Sequence, residues 1–339
     1  MNPDLQVMPG AGHAMSVIHP GPAALRVRFR QGVLIGPYGF PEWLLYARAV
    51  VELPPPIAEL TADEQRVFDV LTANRVTRGA DPLWPAAQAG GATPTPPGWC
   101  WARLPVTADG EPRRTVLVPI ELHAAFRHGG ATRTLPTGRP GPGVRTDPGA
   151  VPVPPRPGVP VPGQVLSQIE DLLGYELPGA YRRYLLECNG AGPAEPGVLA
   201  VAGLVADQPL FGLARDDALQ DVGFAPQWLA DRFTPEFLPV GFVQGGLLAL
   251  RVAGQDAGSV WWLDDDDPRD DDRFGPAEIC ARLLRRCADD WDGFWTGLHR
   301  SAAVLLEVAD DLVTDGQARV VRPEFAGEAL PAKLRPYTI

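Results

Sequence analysis

The sequence predicts an α+β protein of two domains, and three observations lead there. Residues 136–163 read PTGRPGPGVRTDPGAVPVPPRPGVPVPG, a composition unsuited to a helix or a sheet interior. On both sides, runs with helical spacing of apolar residues come in blocks with short β-rich runs. Charge divides the chain as well. The net charge is -11, and from Gln164 onward 29 acidic residues face 15 basic ones. The expected organisation is a disordered start (1–23), a first domain (24–135), a semi-rigid linker (136–163), a second domain (164–300), and a helix with a tail (301–339). The VPVPP run favours polyproline geometry, and a proline-rich ligand for a partner is the lesser reading of the linker.

In the first domain, Ala24 to Ile35 alternates and predicts a strand with its turn. Pro41 to Leu53 predicts a helical turn followed by a strand. Asp63 to Arg75 predicts a helix with Thr61 as N-cap. Gly79 to Gly98 reads as a loop, Val116 to Val118 as a strand, and Ile120 to His128 as a helix ended by Gly129-Gly130.

Past the linker, Val165 to Leu173 predicts an amphipathic helix stopped by Gly174. Pro178 opens another, closed by Asn189-Gly190. Strands are expected at Val198 to Leu204, Phe237 to Val243, Leu247 to Val252 and Ser259 to Leu263. From Pro276, the residues Ile279, Leu283, Cys287, Trp291, Phe294, Trp295 and Leu298 recur at helical spacing and predict one long helix. Ser301 to Val313 predicts a further helix.

Cys100, Cys188, Cys280 and Cys287 lack CxxC spacing and read as free thiols of a reducing compartment. No run approaches a membrane-spanning length, and no basic start precedes an apolar run, so a soluble, cytoplasmic chain is expected. The acidic balance argues against a general nucleic-acid binder, whose affinity rests on neutralising phosphates. It suits a basic partner.

The second domain carries Ile169-Glu170, Leu173-Gly174, Leu177-Pro178, Tyr181-Arg182 and Leu185-Leu186-Glu187-Cys188-Asn189-Gly190. Later come Phe237-Leu238-Pro239-Val240-Gly241, Gly245-Gly246, Ser259-Val260-Trp261-Trp262 and Ala288-Asp289-Asp290-Trp291-Asp292-Gly293-Phe294. In this order they resemble the SUKH superfamily over about 135 residues. The resemblance implies an antiparallel sheet flanked by helices, no enzymatic activity, and a role as an immunity protein that binds a toxin, often a nuclease.

The run Trp262, Asp264, Asp265, Asp266, Asp267, then Asp270 and Asp271, is the expected partner-binding edge. A calcium loop and a merely solvated acidic loop are the competing readings. Pro268 and Arg269 break the ligand alternation that a calcium loop needs. Trp261 and Trp262 point to opposite faces if both lie on a strand, so at least one belongs to the core.

The first domain resembles the ββα-metal nucleases of the HNH/endonuclease VII type in their WHH variety. The resemblance rests on Trp99-Cys100-Trp101-Ala102-Arg103, Leu117-Val118-Pro119, Leu122-His123 and His128-Gly129-Gly130, with Gly39-Phe40-Pro41-Glu42-Trp43 upstream. Trp101, His123 and His128 match, but Ala102 and Arg103 stand where the family has its histidine pair. Arginine accepts no proton at neutral pH. The resemblance therefore implies a vestigial site with neither base nor full ligand set. Glu121 and Asp109 are carboxylates nearby that fit no family position.

The function expected is a non-enzymatic module that binds a basic protein toxin or another protein through its acidic surface, with no cofactor, no metal, no membrane and no direct nucleic-acid binding. The alternatives are a metal-dependent HNH-type nuclease using His123 and His128, and a SUKH regulatory adaptor.

Overall fold

The computed structural model describes residues 16–36, 41–78, 91–104, 113–127, 144–265, 267, 269–270 and 274–321. It is a mixed structure of helices and antiparallel sheets, in agreement with the α+β expectation. The loop reading of 79–90, His128, Gly129-Gly130, Asp109, residues 136–143 and the tail beyond 321 lie outside the described residues.

The first strand, β1 (Ser16–Ile18), pairs with β2 (Val33–Ile35), so the expected disordered start reaches at most residue 15. Between them, Ala23–Arg28 is a helix, α1, and not the predicted strand. The run Leu25-Arg26-Val27-Arg28-Phe29 satisfies both periods. Leu25 and Phe29, four apart, are both buried, which selects the helix. A 3-10 turn at Trp43–Leu45 leads into β3 (Ala49–Leu53), as predicted.

Helix α2 (Ala62–Thr77) starts at the predicted cap. The Thr61 hydroxyl accepts from the Glu64 amide, and Glu64 accepts from the Thr61 amide in return. This helix is covered on several sides, by β3, by α9 (Ala303–Thr314) and by β7 (Leu204–Ala206). Its buried positions therefore run all round the helix instead of forming one stripe.

Strands β4 (Trp99–Arg103) and β5 (Arg113–Pro119) form a hairpin, and α3 (Ile120–Ala124) follows directly. The described helix is shorter than the predicted run to His128. A four-stranded sheet has the order β13-β3-β5-β4, in which β13 (Arg319–Val321) comes from the far end of the chain. Residues 303–321 therefore complete the first sheet and its helical cover.

The expected linker takes a different form wherever it is described. Residues 144–163 lie bonded along the second group of elements. Val153 donates to Leu298, Arg156 to Gly192 and Val161 to Leu186, while Ala303 donates to the Asp147 carboxylate. Val153 is 1 % exposed. Proline surrenders its own donor but leaves neighbouring amides and carbonyls to bond, so a proline-rich segment can serve as a strap at an edge.

Beyond the strap, α4 (Gly163–Leu173) ends at Gly174 with φ 82, and α5 (Gly179–Cys188) ends at Asn189 with φ 42, both as predicted. The run Val198 to Leu204 is two strands, β6 (Gly197–Leu199) and β7, joined by a turn. A short α6 (Ala225–Trp228) precedes β8 (Phe237–Val243), β9 (Gly246–Arg251) and β10 (Val260–Asp264), three strands close to their predicted limits.

The single long helix predicted from Pro276 is three elements. These are α7 (Pro276–Arg282), β11 (Arg285–Ala288) and α8 (Trp291–Gly297). Strand β11 adds to β10, giving the sheet β11-β10-β9-β8. Asp290 then restarts a helix by accepting from the Gly293 amide. The apolar spacing survives because both helices and the strand face one core. Strand β12 (Leu298–His299) completes a small sheet, β12-β6-β7. One buried cluster runs from Leu25 and Trp43 through Tyr181, Trp262 and Trp291, so the two groups of elements share a core.

Candidate functional site

β10 delivers the tryptophan pair and the aspartates. Trp262 faces inward and is 0 % exposed, whereas Trp261 is half-buried, edge-on to Phe237. The Arg66 and Arg285 guanidiniums lie 5.0 and 5.4 Å from the Trp262 ring. Trp262 is thus a core residue, and not the exposed anchor expected of a partner-binding surface.

The aspartates that follow are turned toward arginines of the same chain. Asp264 Oδ2 accepts from Arg66 Nη2 at 2.9 Å, and Arg285 stands 3.9 Å away. Asp267 accepts from Arg269 Nη2 at 2.6 Å and lies 3.5 Å from Arg285. Burial would raise its pKa, but the Arg269 side chain and amide, together with Arg285, outweigh that and hold the carboxyl below its ordinary value. Asp270 accepts from Arg127 at 2.8 Å, and Arg127 also donates to the Phe274 carbonyl. Asp265 lies 3.5 Å from His123 Nδ1. Asp266 and Asp271 lie outside the described residues.

These placements differ from the partner-binding edge that the sequence leads one to expect. Asp264 and Asp267 are 2 % and 1 % exposed, and their charge is matched within the chain. The segment clamps α2 and α3 of the first group onto β10 and β11 of the second. The sequence displays the acids, but their counter-charges come from positions up to 198 residues away.

The nuclease-like residues are interior as well. The Trp101 indole donates to Asn74 at 2.8 Å, and its amide donates to Gln244 at 3.1 Å. His123 is 3 % exposed and stacks on Trp43 with ring centroids 5.5 Å apart. Ala102 is buried, and Arg103 lies 3.9 Å from Asp69, which Arg113 grips with two hydrogen bonds. His128 lies outside the described residues. The order strand, strand, short helix is common to many α+β units and identifies no nuclease. Among the described residues, no group of three or more histidine, cysteine or acidic side chains is placed to hold a metal ion.

The surroundings of two further polar features are not legible in the sequence. A buried network joins the groups of elements: Asp207 accepts from the Thr95 amide at 2.9 Å, from Gln244 at 2.8 Å and from Gln208 at 3.1 Å. Burial raises the Asp207 pKa, and these bonds offset only part of that rise. Glu121, on α3, accepts from Gln220 at 2.8 Å and from Arg28 at 3.2 Å. Burial first, then the Asp217 carboxyl beside it, push its pKa up to about 7.

Away from both features, a groove of about 590 Å3 opens between the end of α4, the segment after α6 and the start of α7. Leu173, Tyr175, Phe233, Pro235 and Pro276 are among its walls, which are mostly apolar.

Helix pair, antiparallel meander and closing helix all fall in one stretch of the chain. Residues 160–294 match the SMI1 / KNR4 family (SUKH-1). The match covers the strap's last residues, α4 to α7, β6 to β11 and most of α8, less than half of the 339 residues. It agrees with the SUKH resemblance of the second half. No curated protein matches the chain with significance. The groove lies wholly within the SUKH-1 segment, while the aspartate clamp joins that segment to the rest. No helix among the described residues is long and apolar enough to cross a membrane.

Proposed function

We propose that the chain is a protein-binding module of the immunity type, in which the SUKH-1 segment captures a basic toxin, such as a nuclease, and silences it by binding. The match at residues 160–294 carries this reading. Charge supports it: acids exceed bases from Gln164 onward, and that imbalance speeds encounter with a basic protein. The first group of elements acts as a scaffold. Arg66, Arg127 and His123 are spent on the aspartate clamp, and the same histidine supports packing against Trp43.

The test is neutralisation. The purified chain, mixed in equal amount with a cognate nuclease toxin, should abolish cleavage of DNA or RNA and co-elute with the nuclease. Undiminished cleavage with no complex overturns the proposal. Metal-dependent plasmid nicking by the chain alone, lost in His123→Ala, would assign it chemistry instead of binding.

A further inference from the structure

The groove of the SUKH-1 segment has walls without strong polar groups. Three of its ten lining residues are prolines, Pro226, Pro235 and Pro276, whose nitrogens donate nothing and whose rings keep the walls stiff. Thr234 turns its hydroxyl to Glu236 at 2.8 Å, away from a ligand role. Burial pushes the Tyr175 phenol up to about 12, so it stays a neutral donor at the groove wall.

The apolar surface continues past the groove. Leu172 is 64 % exposed and Phe224 37 %. Leu172 reaches Gly223, next to Phe224 and three residues before the groove wall at Pro226, since a Cβ on Gly223 would lie 3.3 Å from Leu172 Cδ2. An exposed continuous apolar surface with a polar margin is the usual sign of an interaction site.

The margin carries a sign. Glu176 and Glu236 are exposed and each adjoins a wall residue, Tyr175 in one case and Pro235 with Phe237 in the other. The arginines nearby each bond a different carboxylate. Arg251, 5.5 Å from the Phe237 ring, is paired with Asp256; Arg282, 4.9 Å from Phe274, lies 3.9 Å from Glu278; and Arg182 is held by Glu170, with Glu176 only a weaker electrostatic neighbour. No arginine among the described residues forms an ion pair with Glu176 or Glu236. The groove is therefore apolar inside and negative at its rim.

We propose that this groove docks a basic amphipathic segment of a protein partner, with large apolar side chains seated against Tyr175, Phe233 and Pro276 and with flanking arginines or lysines meeting Glu176 and Glu236. The inference rests on the protein-binding reading above and names the surface that performs it. An apolar anchor in a stiff pocket supplies the affinity, and the rim charges select the sign of the partner.

The probe is a short labelled helical peptide with leucines at helical spacing and arginines elsewhere, compared with a twin carrying glutamates for the arginines. The full chain should bind the arginine peptide saturably and the twin at least about tenfold more weakly. Ala277→Trp fills the groove from an exposed position and should abolish binding. Glu176→Arg with Glu236→Arg, both on the surface, should weaken it about tenfold and leave the thermal midpoint unchanged.

Equal binding of the two peptides, no binding by the parent chain, or undiminished binding by a folded Ala277→Trp chain overturns the groove assignment. So does a dimer in solution whose contact the peptide competes away, since a second copy would then be the occupant. The neutralisation assay separates the two proposals. If parent and Ala277→Trp chains silence the nuclease equally, the groove is wrong and the binding function stands. If the parent chain never binds the nuclease, the function is wrong whatever the peptides do.

Discussion

Arg66 and Asp264 meet at 2.9 Å across 198 positions of sequence, one on α2 and the other at the end of β10. The carboxylate is 2 % exposed and the guanidinium also lies 5.0 Å from the Trp262 ring. Removing one partner of such a pair leaves the other charge buried and uncompensated. Asp264→Asn should therefore lower unfolding stability by about 3 kcal/mol. Chemical denaturation measures it, and a loss below about 0.5 kcal/mol would show that the pair is solvated in solution.

The Glu121 carboxyl, with a pKa of about 7, gives stability an unusual dependence on pH. Unfolded, it titrates near 4.5, so the folded chain holds the proton more tightly between those values. The stability it contributes is fully present below about 4.5 and lost as pH rises through about 7. Glu121→Gln, a permanent neutral mimic, should raise the melting midpoint at pH 8 and leave it unchanged at pH 5. Asp267 works in the opposite sense, because its depressed pKa loses stability only as the solution becomes strongly acidic. An equal gain at both pH values for Glu121→Gln would discredit the raised pKa.

Gly190 sits at φ 77, and a Cβ there would lie 2.6 Å from the Leu210 carbonyl oxygen. Gly190→Ala combines left-handed strain with a backbone clash and should cost at least about 2 kcal/mol. The neighbouring Asn189 is more than a helix stop: its side chain accepts from the Leu213 amide at 2.6 Å and donates to the Leu213 carbonyl at 3.2 Å. Asn189→Gly keeps the φ but loses both bonds, so differential scanning calorimetry should show a smaller yet clear loss of about 1 kcal/mol.

Truncation after Arg300 removes α9 and β13. The Arg319 bonds to Glu52, at 2.7 and 2.8 Å, are lost, and β3 becomes an open sheet edge. The shortened chain should aggregate, or be cut by protease within the first group of elements, while limited digestion leaves the SUKH-1 segment intact. Uniform resistance of both parts would show that the last helix is dispensable.

Local signals in the sequence carried much of the fold. The Thr61 and Glu64 reciprocal cap, Gly174, and the strands around Gly245-Gly246 depend on neighbours within a few residues, and those were readable. The division of Pro276 to Leu298 was not, because β11 is a strand only through its pairing with β10. The aspartate segment misled for a related reason. Charge is visible in a sequence, but whether it faces solvent depends on Arg66, Arg127 and Arg285 arriving from elsewhere. The groove left almost no trace, since Leu173, Phe233 and Pro276 look like ordinary core residues until three segments meet around them.

The pairing of β13 with β3 has a consequence for the order in which the molecule is made. During synthesis, the partner strand at Arg319–Val321 emerges some 270 residues after Ala49–Leu53 has left the ribosome. The SUKH-1 segment, whose four-stranded sheet β11-β10-β9-β8 pairs only within itself, can settle first and present its clamp of aspartates to α2 as it forms. The sheet that β3 begins is then the last to close.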